Sequence, residues 1–282
     1  RRSKIMERRK LWNRRQRVLA GLCFSAVFLL GICIAGSFCT EAAKVTDFSR
    51  KNLPPSWPYL FGTDWLGRDM LVRTLKGMSL SIFIGIVSAA ISAVIALVLG
   101  IASAVLGKKA DSIITWLIDL IMGIPHILLL ILISVAVGKG VKGVVIGVAL
   151  THWPSLARLI RAEVLQIKES PYIQIAEKLG KSKWYIARKH IIPQLLPQFI
   201  VGLILIFPHA ILHESSVTFL GFGLSTEQPA IGIILPEAMK YLVTGKWWLA
   251  LFPGIFLVVT VILFYVAGEG IRKLVDPSSV HE

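Results

Sequence analysis

Six histidines occur in the chain, and four of them fall in stretches that are otherwise almost free of charge. Two stand four residues apart in Pro208-His209-Ala210-Ile211-Leu212-His213-Glu214. On a helix that spacing puts both imidazoles on one face. Imidazole is a good ligand for Ni, Zn and Cu ions, so His209 and His213 are candidate transient metal ligands. His152, in Thr151-His152-Trp153, and His126, after Pro125, stand in two further apolar stretches. Glu214 adjoins the pair and could add an oxygen ligand or face a neighbouring subunit. The alternative is that these imidazoles hydrogen-bond to neighbouring helices or line a polar, metal-free channel.

The stretches that carry them are long. The chain has 282 residues, of which 55% are hydrophobic and only 17% charged, and its mean hydropathy is +0.72. A soluble domain carries about 25% charged residues, so a soluble enzyme, a disordered chain and a fibrous repeat are excluded as classes. A bilayer core of roughly 30 Å needs about 20 apolar helical residues. Six stretches qualify as spans: Val18–Phe38, Gly77–Gly107, Ser112–Gly138 with only Asp119, Gly143–Ala157, Ile191–His213 and Trp247–Gly268. The fourth is the shortest. The first exceeds the apolar length of a signal peptide and is read as a retained helix. The expected fold is an all-α integral membrane protein with six transmembrane helices. Polar groups placed inside such spans are functional suspects by default, which returns attention to the histidines.

The net charge is +15, from 31 Lys and Arg against 16 Asp and Glu. With the N-terminus inside, 21 of the 31 basic residues fall on the inner side, nine of them in residues 1–17 and eight in residues 158–194. The positive-inside rule therefore places both termini in the cytoplasm. The basic arm is read as orientation plus attraction to membrane lipid. Nucleic-acid binding is rejected, because no nucleic-acid-binding module accompanies the charge. Cys23, Cys33 and Cys39 form neither a CxxC nor a disulfide framework.

The organisation follows: a basic arm at 1–17, a first span at 18–38, an extracytoplasmic segment at 39–76, a transmembrane domain at 77–270 and a tail at 271–282. Residues 221–246 form a second outer loop, rich in Gly, Pro and Trp. In the first outer segment, Asp64 with Gly67 reads as a turn, and Asp69 as the cap of the second span. The inner loop, 161–194, reads as a short helix–turn–helix. Tyr172, Ile175, Ala176 and Leu179 make an apolar stripe after Ser170-Pro171, Gly180 interrupts it, and Trp184, Ile186, Ala187 and Ile191 start another. Pro193 and Pro197 are expected to end that second helix. An amphipathic ridge of this kind either lies on lipid or fits a groove on a soluble partner.

Gln174-Ile175-Ala176-Glu177-Lys178-Leu179-Gly180, with His190 and Pro193 beyond it, resembles the EAA loop of ABC import permeases; Gln174 and Ile175 stand where that motif has Glu and Ala. The run Phe61–Arg73, containing Gly62-Thr63-Asp64 and Gly67-Arg68-Asp69, is similar to the dipeptide, oligopeptide and nickel subfamily, as are Phe219–Gly223, Gly268–Arg272 and Asp276-Pro277. The resemblance implies a type I ABC importer fold in a bacterial inner membrane. It implies a second homologous permease subunit, two ATPase subunits and an extracytoplasmic substrate-binding protein as partners. Gln174, Ala176, Glu177, Leu179, Gly180, Lys181 and Ser182 would then couple to an ATPase. No cofactor is expected in this chain, since ATP and Mg would sit on the ATPase subunits. His209, His213, His152 and Glu214 would line the substrate path. The paired histidines and His152 look like the nickel branch, so nickel or a metal chelate is the expected cargo, with dipeptides or oligopeptides as the alternative.

Three other readings fit less well. Gly180-Lys181-Ser182 ends like a P-loop, but position 175 is Ile where that loop needs Gly. An intramembrane metalloprotease would need His-Glu-x-x-His, whereas Glu214 follows both histidines. A stand-alone channel would not need the docking loop.

Overall fold

The computed structural model describes residues 14–275. The basic arm up to residue 13, and residues 276–282 with Asp276-Pro277, lie outside the described residues. The helices are α1 (Arg14–Phe38), α2 (Met70–Val105), α3 (Lys108–Gly123), α4 (His126–Val137), α5 (Val141–Lys168), α6 (Pro171–Lys178), α7 (Lys183–Ile186), α8 (Ile192–Phe219), α9 (Ile231–Met239) and α10 (Trp248–Val275). Among the described residues no strand forms, and one isolated bridge joins Thr63 to Asp69. The fold is all-α, as expected.

Five helical segments are long and apolar enough to cross a membrane: α1, α2, α5, α10 and the continuous path through α7 and α8. The expected third span, Ser112–Gly138, is not one helix. It is the pair α3 and α4, bent by 98° at Ile124-Pro125, and it makes a sixth span only if the pair is counted as one. The cause is local. A residue before proline is pushed out of the α region, and Ile124 is extended at φ −90°, ψ 136°. The weakest expected span, by contrast, lies within a 28-residue helix, because α5 continues through Arg158 and Arg161 to Lys168.

α2 is the central element and packs on α5, α8 and α1. Small residues bring these backbones together: a Cβ on Gly100 would lie 2.8 Å from the Ala157 carbonyl oxygen. Close approach of this kind is how helices associate where lipid is as apolar as the side chains. α1 keeps Phe24, Val27, Leu30 and Ile34 exposed, which suits contact with lipid tails.

The outer segment 39–69 is pinned by ion pairs. The Asp64 carboxylate accepts from Leu66 N and Arg68 N at 2.9 Å, from Arg68 Nε at 2.7 Å and from Arg73 at 2.5 Å. Arg73 also donates to Glu237 of α9 at 3.0 Å. Gly67 has φ +76°, and a Cβ there would meet the Asp47 carbonyl oxygen at 1.8 Å, so only glycine fits the turn. Asp69 caps α2 by accepting from Leu71 N at 2.8 Å. The second outer region is more than a loop. Within 221–246, α9 buries Ile231, Ile233, Ile234 and Ala238, packing on α8 and α10.

Candidate functional site

The bend between α3 and α4 opens a cavity of about 610 Å³. Residues 121–126 form one wall, α5 supplies Thr151, His152, Pro154 and Ser155, and α8 supplies Ile206, His209 and His213. All four intramembrane histidines therefore line one space.

Three of them converge more closely. His126, His152 and His213 each present a ring nitrogen, and these lie within 4.8 Å of one another. Their ring centroids are 4.4–4.9 Å apart, on three different elements. His126 is the first residue of α4, so the proline-induced bend is what swings it toward α5 and α8. His152 Nδ1 lies 2.9 Å from the Val148 carbonyl oxygen, one turn earlier on α5. A carbonyl only accepts, so Nδ1 carries the proton and Nε2 of the neutral ring keeps its lone pair, which faces His213. His213 Nδ1 likewise lies 2.8 Å from the His209 carbonyl oxygen and 3.1 Å from His152 Nε2. Its N–H is held there, which leaves His213 Nε2 as the free nitrogen. Thr151 Oγ1 lies 3.4 Å from His126 Nε2 and 3.1 Å from His152 Nδ1, tying the trio to α5.

The expected pairing of His209 with His213 is realised differently. His209 is exposed on the cavity wall, and its carbonyl oxygen accepts from His213 Nδ1. Glu214 is fully buried and does not line the cavity. It accepts from Ser215 Oγ at 3.2 Å and Thr218 Oγ1 at 3.1 Å, so it sits in the packed interior. Asp119, on α3, pairs with Arg158 of α5 at 2.7 Å. His126 had no assigned role in the sequence reading, because nothing local tells that a bend will carry it to two other helices.

The other candidate surface is the loop from α6 to α7. Ile173 and Ala176 are buried and, with Ile186, anchor it to Ile160, Val164 and Ile167 at the end of α5. Gln174, Glu177, Gly180, Lys181 and Ser182 are exposed. Leu179 and Trp184 are 72% and 71% exposed, and Ile175 is 57% exposed. Gly180 has φ +74° and ends α6, with open space where a Cβ would go. Ser182 accepts from Tyr185 N at 3.2 Å and so caps α7. The prolines do not end this helix as expected. A five-residue π-helical turn at Ala187–Ile191 joins α7 to α8, and Pro193 and Pro197 lie inside the continued path. Pro193 has no N–H to give Lys189, and the wider turn absorbs that loss.

Residues 96–280 match the family described as binding-protein-dependent transport system inner membrane component. A dipeptide transport system permease protein of Bacillus subtilis strain 168 is 33% identical over 94% of this chain and 84% of its own length. A probable D,D-dipeptide transport system permease protein of Escherichia coli K12 is 33% identical over 90% of this chain and 85% of its own. An oligopeptide transport system permease protein of B. subtilis is 32% identical over 92% and 85%. Among solved structures, a chain of the MetNI methionine ABC transporter in an inward-facing conformation has a TM-score of 0.61 at 21% identity, covering 78% of this chain and 99% of that one.

Proposed function

The chain belongs to the family of binding-protein-dependent transport system inner membrane components, and we propose that it is a permease subunit of an ATP-driven importer whose cargo is dipeptides or short oligopeptides. The relatives at 32–33% identity support that cargo, since each is named for dipeptide or oligopeptide transport. They favour peptides over the nickel cargo that the sequence led us to expect. One specific observation favours the metal reading, the convergence of His126, His152 and His213.

The partners in this reading are a second permease subunit across the path, two ATPase subunits, an extracytoplasmic binding protein and membrane lipid. ATP and Mg sit on the ATPases, and this chain does no hydrolysis. Both termini face the cytoplasm, consistent with 21 of 31 basic residues on that side. The observation that carries the coupling role is the apolar ridge of Ile175, Leu179 and Trp184, left uncovered at the end of a loop whose other face is anchored. Exposed apolar patches outside the bilayer mark partner surfaces. ATPase closure acting on α6 would be transmitted through Ile173 and Ile186 to α5 and α8, the two helices that carry His152 and His213.

Uptake of a labelled dipeptide by cells expressing the complete transporter tests the reading. ATP-dependent accumulation is expected, and Leu179→Asp should abolish it. An assembled, ATP-hydrolysing complex that takes up no dipeptide or oligopeptide would overturn the cargo assignment.

A further inference from the structure

We propose that His126, His152 and His213 form a binding site for a divalent first-row transition ion, such as Ni(II), Co(II), Zn(II) or Cu(II), in the wall of the α3–α4 cavity. The binding itself rests on the geometry of the trio; only its meaning for transport rests on the permease reading above.

Four features carry the site. The imidazoles come from three separate elements, so the fold and not one helix face assembles them. In His152 and His213 the Nδ1–H is turned to a backbone carbonyl and Nε2 is unprotonated; the His152 Nε2 lone pair faces the His213 Nδ1–H at 3.1 Å, a contact that a bound ion would replace. Metal-bound histidines are held in this way, the second ring nitrogen donating to a carbonyl or carboxylate. The spacing is near what an ion requires. Metal–nitrogen bonds of about 2.1 Å place neighbouring ligand nitrogens about 3–3.5 Å apart. The trio lies within 4.8 Å, and small ring rotations close the difference. The fourth feature is the cavity, which leaves coordination positions open to water or to the donors of a small chelator.

Three neutral imidazoles bring no negative charge, and the nearby carboxylate, Glu214, is turned into the packed interior. A site on a path must let its ion leave, and the cavity keeps the remaining coordination positions exchangeable with water. Imidazole selects borderline transition ions over Mg or Ca, which prefer oxygen. The same three nitrogens could take the ion bare or within a chelate that keeps some of its own donors.

The test uses the assembled transporter in lipid nanodiscs, stripped with a chelator and titrated with Co(II), whose visible absorption changes when imidazole replaces water. One arm uses Co(II) alone and the other Co(II) premixed with free histidine. A saturable spectral change in the first arm means the bare ion binds; a change only in the second means the chelate does. Each of His126→Ala, His152→Ala and His213→Ala should weaken binding by about tenfold or more. His209→Ala, which removes a cavity imidazole outside the trio, should leave the spectrum in place. If His152→Ala does not assemble, His152→Gln and His126→Ala serve instead. The proposal falls if neither arm gives a saturable change, if the triple variant binds as the parent does, or if His209→Ala weakens binding as much as His213→Ala. Dipeptide uptake by the same variants separates the two readings. Cobalt binding without peptide uptake sinks the peptide cargo and leaves the site, whereas peptide uptake without cobalt binding sinks the site and leaves the cargo.

Discussion

The Arg73 guanidinium meets the Asp64 carboxylate at 2.5 Å, with Arg73 2% and Asp64 3% exposed. This buried pair fastens the outer segment to the first turn of α2, and Arg73 reaches on to Glu237 of α9 at 3.0 Å. Removing Asp64 leaves the buried Arg73 guanidinium with Glu237 alone and takes from Arg68 its closer carboxylate, which destabilises the segment. Asp64→Ala should therefore lower the thermal transition of the purified complex. Arg73→Lys should not substitute, because a compact ammonium lacks the planar fork whose two nitrogens reach Asp64 and Glu237 separately. An unchanged transition in Asp64→Ala would show that the pair is not what holds the segment.

The ridge of Ile175, Leu179 and Trp184 gives a second expectation. An exposed Leu at the centre of a docking surface contributes about 2 kcal/mol or more when it is a hot spot. Leu179→Asp should release the ATPase subunits during co-purification while the permease still folds, since Leu179 packs on nothing in this chain's core. Arg188→Ala, outside the ridge, is the comparison. Equal ATPase recovery from Leu179→Asp and the parent would remove the ridge from the coupling surface.

Gly180 separates strain from contact. Its φ of +74° is left-handed, yet a Cβ there would meet nothing within 4 Å. Gly180→Ala should thus cost about 1–2 kcal/mol of backbone strain alone. Transport driven by ATP should fall while the ATP hydrolysis of the assembled complex persists, because α6 no longer turns cleanly into α7. Full import by Gly180→Ala would mean that the turn is not needed for transmission.

Much of this architecture is legible without coordinates, and the failures have physical causes. Apolar length reports the spans, because a bilayer selects for it regardless of partners. Asp69 was readable as a cap because capping is local. The bend at Pro125 was missed because a charge count does not see backbone dihedrals, although proline was the signal that could have shown it. α9 was hidden in a Gly- and Pro-rich stretch, since its burial depends on α8 and α10 rather than on its own pattern. His209 and His213, expected on one helix face, both line the cavity. Which imidazoles converge depends on the angle between α3 and α4, and no single-helix periodicity contains that angle.

That angle yields the last expectation. Ile124 is extended because Pro125 excludes it from the α region, and Pro125 offers no N–H to the carbonyl of Ile121. Pro125→Ala restores both the donor and the α region, so α3 and α4 should become one helix. Cysteines placed at the exposed positions Trp116 and Leu132, with Cys23, Cys33 and Cys39 changed to Ser, report the change through spin-label distances. A straight helix over that interval separates the two sites by about 24 Å, whereas a bend of 98° brings them nearer. His126 should move away from His152 and His213, and import should fall without loss of the ATPase subunits. If the distance in Pro125→Ala equals that of the parent, the packing of α4 on α5 imposes the bend, and proline merely accompanies it.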